Sequence, residues 1–207
     1  MAKVMTDEIK TALDTTIAIG EYGTQLFWWN PTGGTSNAGA FEYALPLVSG
    51  GEYGGDTETY EAPELDLDYI AKISGPTTLD DITLTSNYTK GRYARWVQIL
   101  SNDLENPPVY MEVYADNSAT LYSGTSGRPT IQGGDVRQIE VTIAPMNMVW
   151  VENINSISDT DNADGVSELD EVNNILGTSL AADSALPIDK STIPTKRLQF
   201  FDGNQGK

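Results

Sequence analysis

The sequence predicts a mainly β protein, an antiparallel sandwich or barrel with one packed α-helix at about 90–101. Three observations predict it. Apolar and polar residues alternate through DITLTSNY (81–88) and VRQIEVTIA (136–144), the period of a half-buried strand. VYMEVYA (109–115) and SATLYS (118–123) flank Asp116-Asn117, a tight-turn signal that reads as a hairpin. Between these strands, Tyr93, Trp96, Val97 and Leu100 fall at i, i+3, i+4 and i+7, so one helical stripe can lie on a sheet while Arg92 and Arg95 reach outward. At 207 residues the chain suffices for one core with arms and an insertion, and residues 1–207 are expected to form a single domain.

Taken in order, TDEIKTALD has a cap at Thr6 and apolar Ile9 and Leu13, so 1–14 reads as a short helix or N-terminal arm. TTIAIGEYGTQLFWWN is β-branched and aromatic, hence strand. Residues 31–60 open as PTGGTSNAGAFEYALPLVSGGEYGG, a glycine-rich loop around one apolar island. LDLDYIAKI (65–73) alternates as a strand that Ser74-Gly75-Pro76 is expected to end. The strand at 136–144 and a separate one at VWVENI (149–154) complete a meander. Residues 155–190 form an acidic insertion with one helix, in which Ser167 caps, Asp170 completes a box, Leu169, Val172 and Leu176 form the stripe and Gly177 stops it. Residues 191–207 form a C-terminal arm.

Composition narrows the chemistry. With no cysteine and no histidine, disulfides, thiolate nucleophiles, imidazole bases and most transition-metal sites are excluded. The formal net charge is -18, and no lysine or arginine occurs between Lys10 and Lys72 or between Arg137 and Lys190. Such a surface repels phosphate backbones. No apolar run is long enough for a membrane helix, and MAKVMTDEIK has no secretory core, so a cytoplasmic chain without a membrane role is expected.

Candidate sites are few. DTDNADGVSELDE (159–171) looks like an oxygen-ligand calcium loop, but with Gly165 and Glu171 in the sixth and twelfth places the first place falls on Thr160. Asp159, Asp161, Asp164 and Glu171 are therefore only a weak cation set, and no cofactor is expected. Paired carboxylates could serve a glycosidase, yet thirty acidic residues make pairs cheap, and no enzyme is predicted. Trp28 and Trp29 are adjacent and lie on opposite faces of a strand, so they form no single sugar platform. Asn87-Tyr88-Thr89 is a glycosylation sequon with no secretory context. What remains is a set of strand positions alternating away from the core: Asp81, Thr83, Thr85 and Asn87, then Glu112, then Gln138, Glu140 and Thr142. None is basic. In one sheet they would make a hydrophilic, slightly negative wall.

The run EAPELDLDYIAKISGPTTLDDITLTSNYTKGRYARWVQIL (61–100), with the hairpin and long strands that follow to Asn153, resembles the tail tube (major tail) proteins of long-tailed, siphovirus-like bacteriophages. The resemblance spans about 58–153 and rests on a small-residue turn at Ser74-Gly75, the polar-faced strand 82–88, the helix with Trp96 and the closing meander. It implies a homo-hexameric ring whose sheets join into a continuous inner β-barrel, with rings stacked into a non-contractile tube that passes genomic DNA without binding it. It also implies tape-measure, tail-tip and terminator partners, residence in the virion tail and assembly in the host bacterial cytoplasm. The eight wall positions then become lumen-facing candidates, and Lys196, Arg197, Phe200 and Phe201 become candidates for contacts between rings. The alternative is a monomeric β-sandwich module that binds carbohydrate or calcium.

Overall fold

The computed structural model describes residues 24–34, 38–51, 53–62, 71–114, 116–134, 136–160 and 165–194. The elements are β1 (Gln25–Asn30), β2 (Ala40–Pro46), β3 (Gly55–Ala62), β4 (Ala71–Leu79), β5 (Ile82–Asn87), α1 (Lys90–Ile99), β6 (Val109–Val113), β7 (Ala119–Ser126), β8 (Thr130–Gln132), β9 (Gln138–Val151), α2 (Glu168–Leu176) and β10 (Ile188–Asp189). A curled main sheet runs β10-β2-β1-β6-β7-β9-β5, with β8 on β9, while β3 and β4 form a separate pair. Every pairing is antiparallel except β10 on β2. The mainly β architecture is thus as the sequence predicts.

Three expectations give way. The glycine-rich stretch contains β2, whose residues are all buried, because AFEYALP packs on both faces. The strand expected to stop at Ser74-Gly75-Pro76 continues as β4 to Leu79; a register shift between Thr57 and Thr59, where Gly75 and Pro76 of β4 stand opposite Glu58 of β3, absorbs the proline, which has no N–H to give a ladder. The two strands expected at 136–144 and 149–154 are one strand, β9, with an irregularity against Ser123/Gly124 that takes it past Pro145. Gly124 is needed there, since a Cβ would lie 2.5 Å from the Ala144 carbonyl oxygen. The reading of the expected N-terminal helix, the 65–70 half of the expected strand, Asp161 and Asp164, and Lys196, Arg197, Phe200 and Phe201 falls outside the described residues.

The hairpin appears as β6–β7, turning at Asn117 with φ 68°. After β9, Ile154, Ile157, Leu169, Val172, Leu176, Leu186 and Ile193 belong to the same apolar core as the sheet. Backbone bonds from Ile157 to Ser184, Asp183 to Ile157 and Leu186 to Ile154 hold that segment in place. Its helix α2 lies over β7 and β9, capped by Ser167, whose Oγ accepts from the Asp170 N–H, and stopped by Gly177 in the left-handed region. No helix among the described residues is long and apolar enough to cross a membrane.

Candidate functional site

The polar wall is built by the pairing of β5 with β9. Thr83 stands opposite Thr142, Thr85 opposite Glu140 and Asn87 opposite Gln138. Alternation then dictates both faces. On one side Ile82, Leu84 and Ser86 meet Ile143, Val141 and Ile139, and all six are buried. On the other, Thr83 and Thr142 are exposed and Thr85, Asn87, Gln138 and Glu140 half-buried. Gln132 on β8 extends the ladder by donating from Nε2 to Glu140 Oε2 at 2.8 Å. Asp81 is exposed at the entry to β5. The ladder carries one carboxylate pair partner, Glu140, and no cation. The outer edge of β5 is covered at its centre, where the Val48 and Ser49 N–H groups donate to the Thr85 carbonyl and Thr85 N–H donates to Ser49 O.

Glu112 does not belong to this wall. It is fully buried on β6 beside Tyr110, because both faces of that strand are covered and neither meets solvent. Its Oε1 accepts from Tyr122 Oη at 3.0 Å and its Oε2 from the Gly51 N–H at 3.4 Å. Burial pushes the carboxyl above the ordinary carboxylate range, opposed by the Tyr53 and Tyr122 hydroxyls and the Gly51 N–H. Burial also raises the Tyr53, Tyr110 and Tyr122 phenols. Gly50 packs close beside it: a Cβ there would lie 2.7 Å from Glu112 Oε2 and would displace the carboxylate.

The helix that braces the wall also presents a different face from the one expected. Its buried residues are Arg92, Arg95, Trp96 and Ile99, whereas Tyr93 and Leu100 are partly buried against the core and Val97 is 53% exposed. Only Trp96 is shared in full by the two stripes. Its indole Nε1 donates to Ser86 Oγ at 3.0 Å, tying α1 to the back of the polar ladder. The arginines turn inward because they find partners there. Arg92 Nη1 donates to Asn87 O at 3.1 Å, and the Thr89 cap accepts from Arg92 N–H. Arg95 Nη2 lies 3.4 Å from Glu42 Oε2 and donates to Tyr43 O at 3.2 Å, while Nη1 donates to Gln98 Oε1 at 3.0 Å. Asn30 Nδ2 holds the other Glu42 oxygen at 2.7 Å, and the guanidinium carbon sits 5.7 Å from the Trp28 ring centroid. Burial lowers the Arg95 pKa, opposed by the charge and hydrogen bond of Glu42. A buried pair with this many satisfied donors is a structural clamp between α1, β1 and β2.

The other candidates contribute less. Among the described residues no three carboxylates gather as a cation site. Trp28 and Trp29 are both buried, the latter edge-on to Phe41 at 5.1 Å, so neither offers a sugar platform.

No protein-family model matches the chain, and no curated protein matches it by sequence. Solved structures with a similar backbone include a chain of the anti-feeding prophage baseplate, at 6% identity and a TM-score of 0.46, covering 66% of this chain and 97% of that one. A chain from the sheath/tube terminator of an extracellular contractile injection system aligns at 14% identity and a TM-score of 0.44, covering 65% and 97%. A chain from the tail of an empty GTA particle aligns at 13% identity and a TM-score of 0.43, covering 60% and 92%. Likeness at this level carries nothing about activity or assembly.

Proposed function

We propose that this chain is a structural subunit of a phage-tail-like tube, self-assembling into stacked hexameric rings whose bore is lined by the β5–β9 ladder and conducts DNA without holding it. The observation that carries the reading is the ladder itself, three facing polar pairs with no lysine or arginine on a curled sheet. A polyanion gains affinity by displacing counterions with protein cations, so a wall of threonine, asparagine, glutamine and glutamate gives DNA nothing to exchange against. The face is backed by a core and braced by α1 through Trp96 and Ser86, so it stays a smooth surface. Among the described residues, β9 beyond Ile143 has a strand partner on one side only, an edge that a neighbouring copy can complete. The resemblance of 58–153 to tail tube proteins points the same way, and the long non-contractile tail, the tape-measure and terminator partners, virion residence and the inter-ring role of Lys196, Arg197, Phe200 and Phe201 are part of this reading.

Negative-stain electron microscopy at rising protein concentration, with and without calcium, beside a sizing run, tests it. Hollow tubes or six-fold rings are expected. A monodisperse monomer at every concentration would overturn the proposal and favour a monomeric binding module.

A further inference from the structure

Self-association of a chain with net charge -18 must overcome repulsion between copies, so exposed cations mark where acidic surface can be received. Exposed cations among the described side chains are Lys90, Arg128, Arg137 and Lys190. Three of these four flank α1. Lys90 opens the helix, Arg137 is joined to its entry by the Tyr88 N–H to Arg137 O bond at 2.8 Å, and Arg128 faces its C-terminal half. There a groove of about 270 Å³ runs between the helix and the β7–β8 turn, with Val97, Leu100 and Pro129 as apolar lining and Arg128 at the rim. No described carboxylate pairs with Arg128.

The chain also carries a shape that fits this groove. In the loop after α1, Asp103, Leu104 and Glu105 are all exposed, and Leu104 at 69% is the most exposed large apolar side chain among the described residues. The loop is pre-shaped: Asp103 N–H donates to Ser101 Oγ at 3.2 Å, and Asp103 Oδ1 accepts from the Glu105 and Asn106 N–H groups at 3.0 and 3.2 Å. Little ordering remains to be done on binding. The leucine projects between two acids, the reverse of a groove with apolar walls and an arginine rim. Within one chain Leu104 is solvent-exposed and does not fill the groove, although Ser101 and Asn102 just before it belong to the lining.

We infer that the Asp103-Leu104-Glu105 knob of one copy docks in the Val97/Leu100/Arg128/Pro129 groove of a second copy. This rests on the reading of the chain as a self-assembling subunit and specifies a surface that carries the contact. Knob and groove adjoin through Ser101 and Asn102, which line the groove and lead into the knob; one-way insertion is heterologous and propagates from copy to copy into a ring or a filament, whereas reciprocal insertion closes a dimer. Leu104 loses its exposed surface to Val97, Leu100 and Pro129, and the flanking acids meet Arg128 at the rim.

Sedimentation velocity on wild type, Leu104→Glu, Val97→Glu and an equimolar mixture of the two variants tests the inference. Both side chains are exposed, so the fold is retained, and circular dichroism with urea midpoints within error of wild type verifies it. Each variant alone is expected to remain monomeric where wild type assembles. The mixture is expected to stop at dimers, because Val97→Glu keeps an intact knob and Leu104→Glu an intact groove. A milder variant, Arg128→Glu, is expected to raise the assembly concentration by about tenfold or more, and pairing it with Glu105→Arg to reverse much of that. Wild-type tubes with variants that assemble equally well, or variants that block assembly but give no mixed dimer, overturn this contact and leave the tube reading standing. Wild type that never assembles overturns both.

Discussion

Arg95→Met removes the charge that fills the space between α1 and the β1–β2 pair while keeping most of the side-chain volume. In the wild type, Glu42 is shared between Arg95 Nη2 at 3.4 Å and Asn30 Nδ2 at 2.7 Å, and the side chains of Arg95 and Glu42 are 0% and 8% exposed. Methionine leaves that carboxylate buried with one neutral donor. It also withdraws the 3.2 Å bond to Tyr43 O and the 3.0 Å bond to Gln98 Oε1. Breaking one side of a buried pair costs about 3–5 kcal/mol, against about 0.2–1 kcal/mol for an exposed pair. For a domain of this size that corresponds to a melting temperature lower by roughly 6–20 °C. Equilibrium urea unfolding followed by tryptophan fluorescence reads the loss, and Trp28 beside the guanidinium is a local reporter. Adding Glu42→Gln should recover a large part of it, because glutamine keeps an acceptor for Asn30 and carries no charge to strand. A loss below about 1 kcal/mol for Arg95→Met, with no recovery in the double variant, would refute the clamp.

Further tests address the other carboxylates and caps. Glu112→Gln changes how stability depends on pH. Burial raises the folded-state pKa of Glu112 above its unfolded value, so its stabilising contribution is present below the unfolded pKa and is lost as pH rises through the folded one. The urea midpoint of wild type minus that of Glu112→Gln should therefore fall from pH 4 upward, and a difference that stays flat argues against a raised Glu112. Glu112→Lys should not yield folded protein, since it buries a cation among tyrosines, and soluble, cooperative folding would contradict its placement. On the ladder, Glu140→Lys with Thr85→Lys places two cations opposite one another on the polar face; tubes should still assemble but retain DNA in a gel shift that weakens steeply with salt. Unchanged DNA behaviour would take these positions out of the lumen. Ser167→Ala should lower stability by about 1 kcal/mol through loss of the α2 cap, measured by thermal unfolding.

What the sequence revealed depended on whether a strand had a solvent face. The alternation in 81–88 and 136–144 placed Thr83, Thr85, Asn87, Gln138, Glu140 and Thr142 on the right side of β5 and β9 because those strands are covered on one face only. The same rule misplaced Glu112, whose strand VYMEV is buried throughout. Tyr110 and Met111 on opposite parities were the available signal that both faces were apolar. AFEYALP gave the same signal and was masked by its glycine-rich flanks. On α1, the spacing 93/96/97/100 and the spacing 92/95/96/99 satisfy one helical template and differ by a single residue. Hydrophobicity favours the first. The second wins because Glu42, remote in sequence, lies where Arg95 can reach it, and no local pattern reports such a partner. The α2 caps were legible because their chemistry is local.

The acidic residues divide by what surrounds them. Glu42 is held by Arg95 and Asn30, and Glu112 lies among tyrosine hydroxyls; both act inside the fold. Glu140 lies on the ladder with Gln132 and Thr85 for neighbours. The cations divide too: Arg92 and Arg95 are spent on α1's inner side, while Lys90, Arg128 and Arg137 flank the same helix outside. The ladder lies on the sheet face opposite Ser86 and Trp96, hence opposite α1. Of the two inward arginines, Arg95 meets the Glu42 carboxylate and Arg92 the Asn87 carbonyl, so both guanidinium groups are buried on the core side of the ladder. On the proposed reading, α1 braces a wall that offers DNA no cation, while Lys90 at its start and Arg128 beside its C-terminal half stand where another acidic copy can approach.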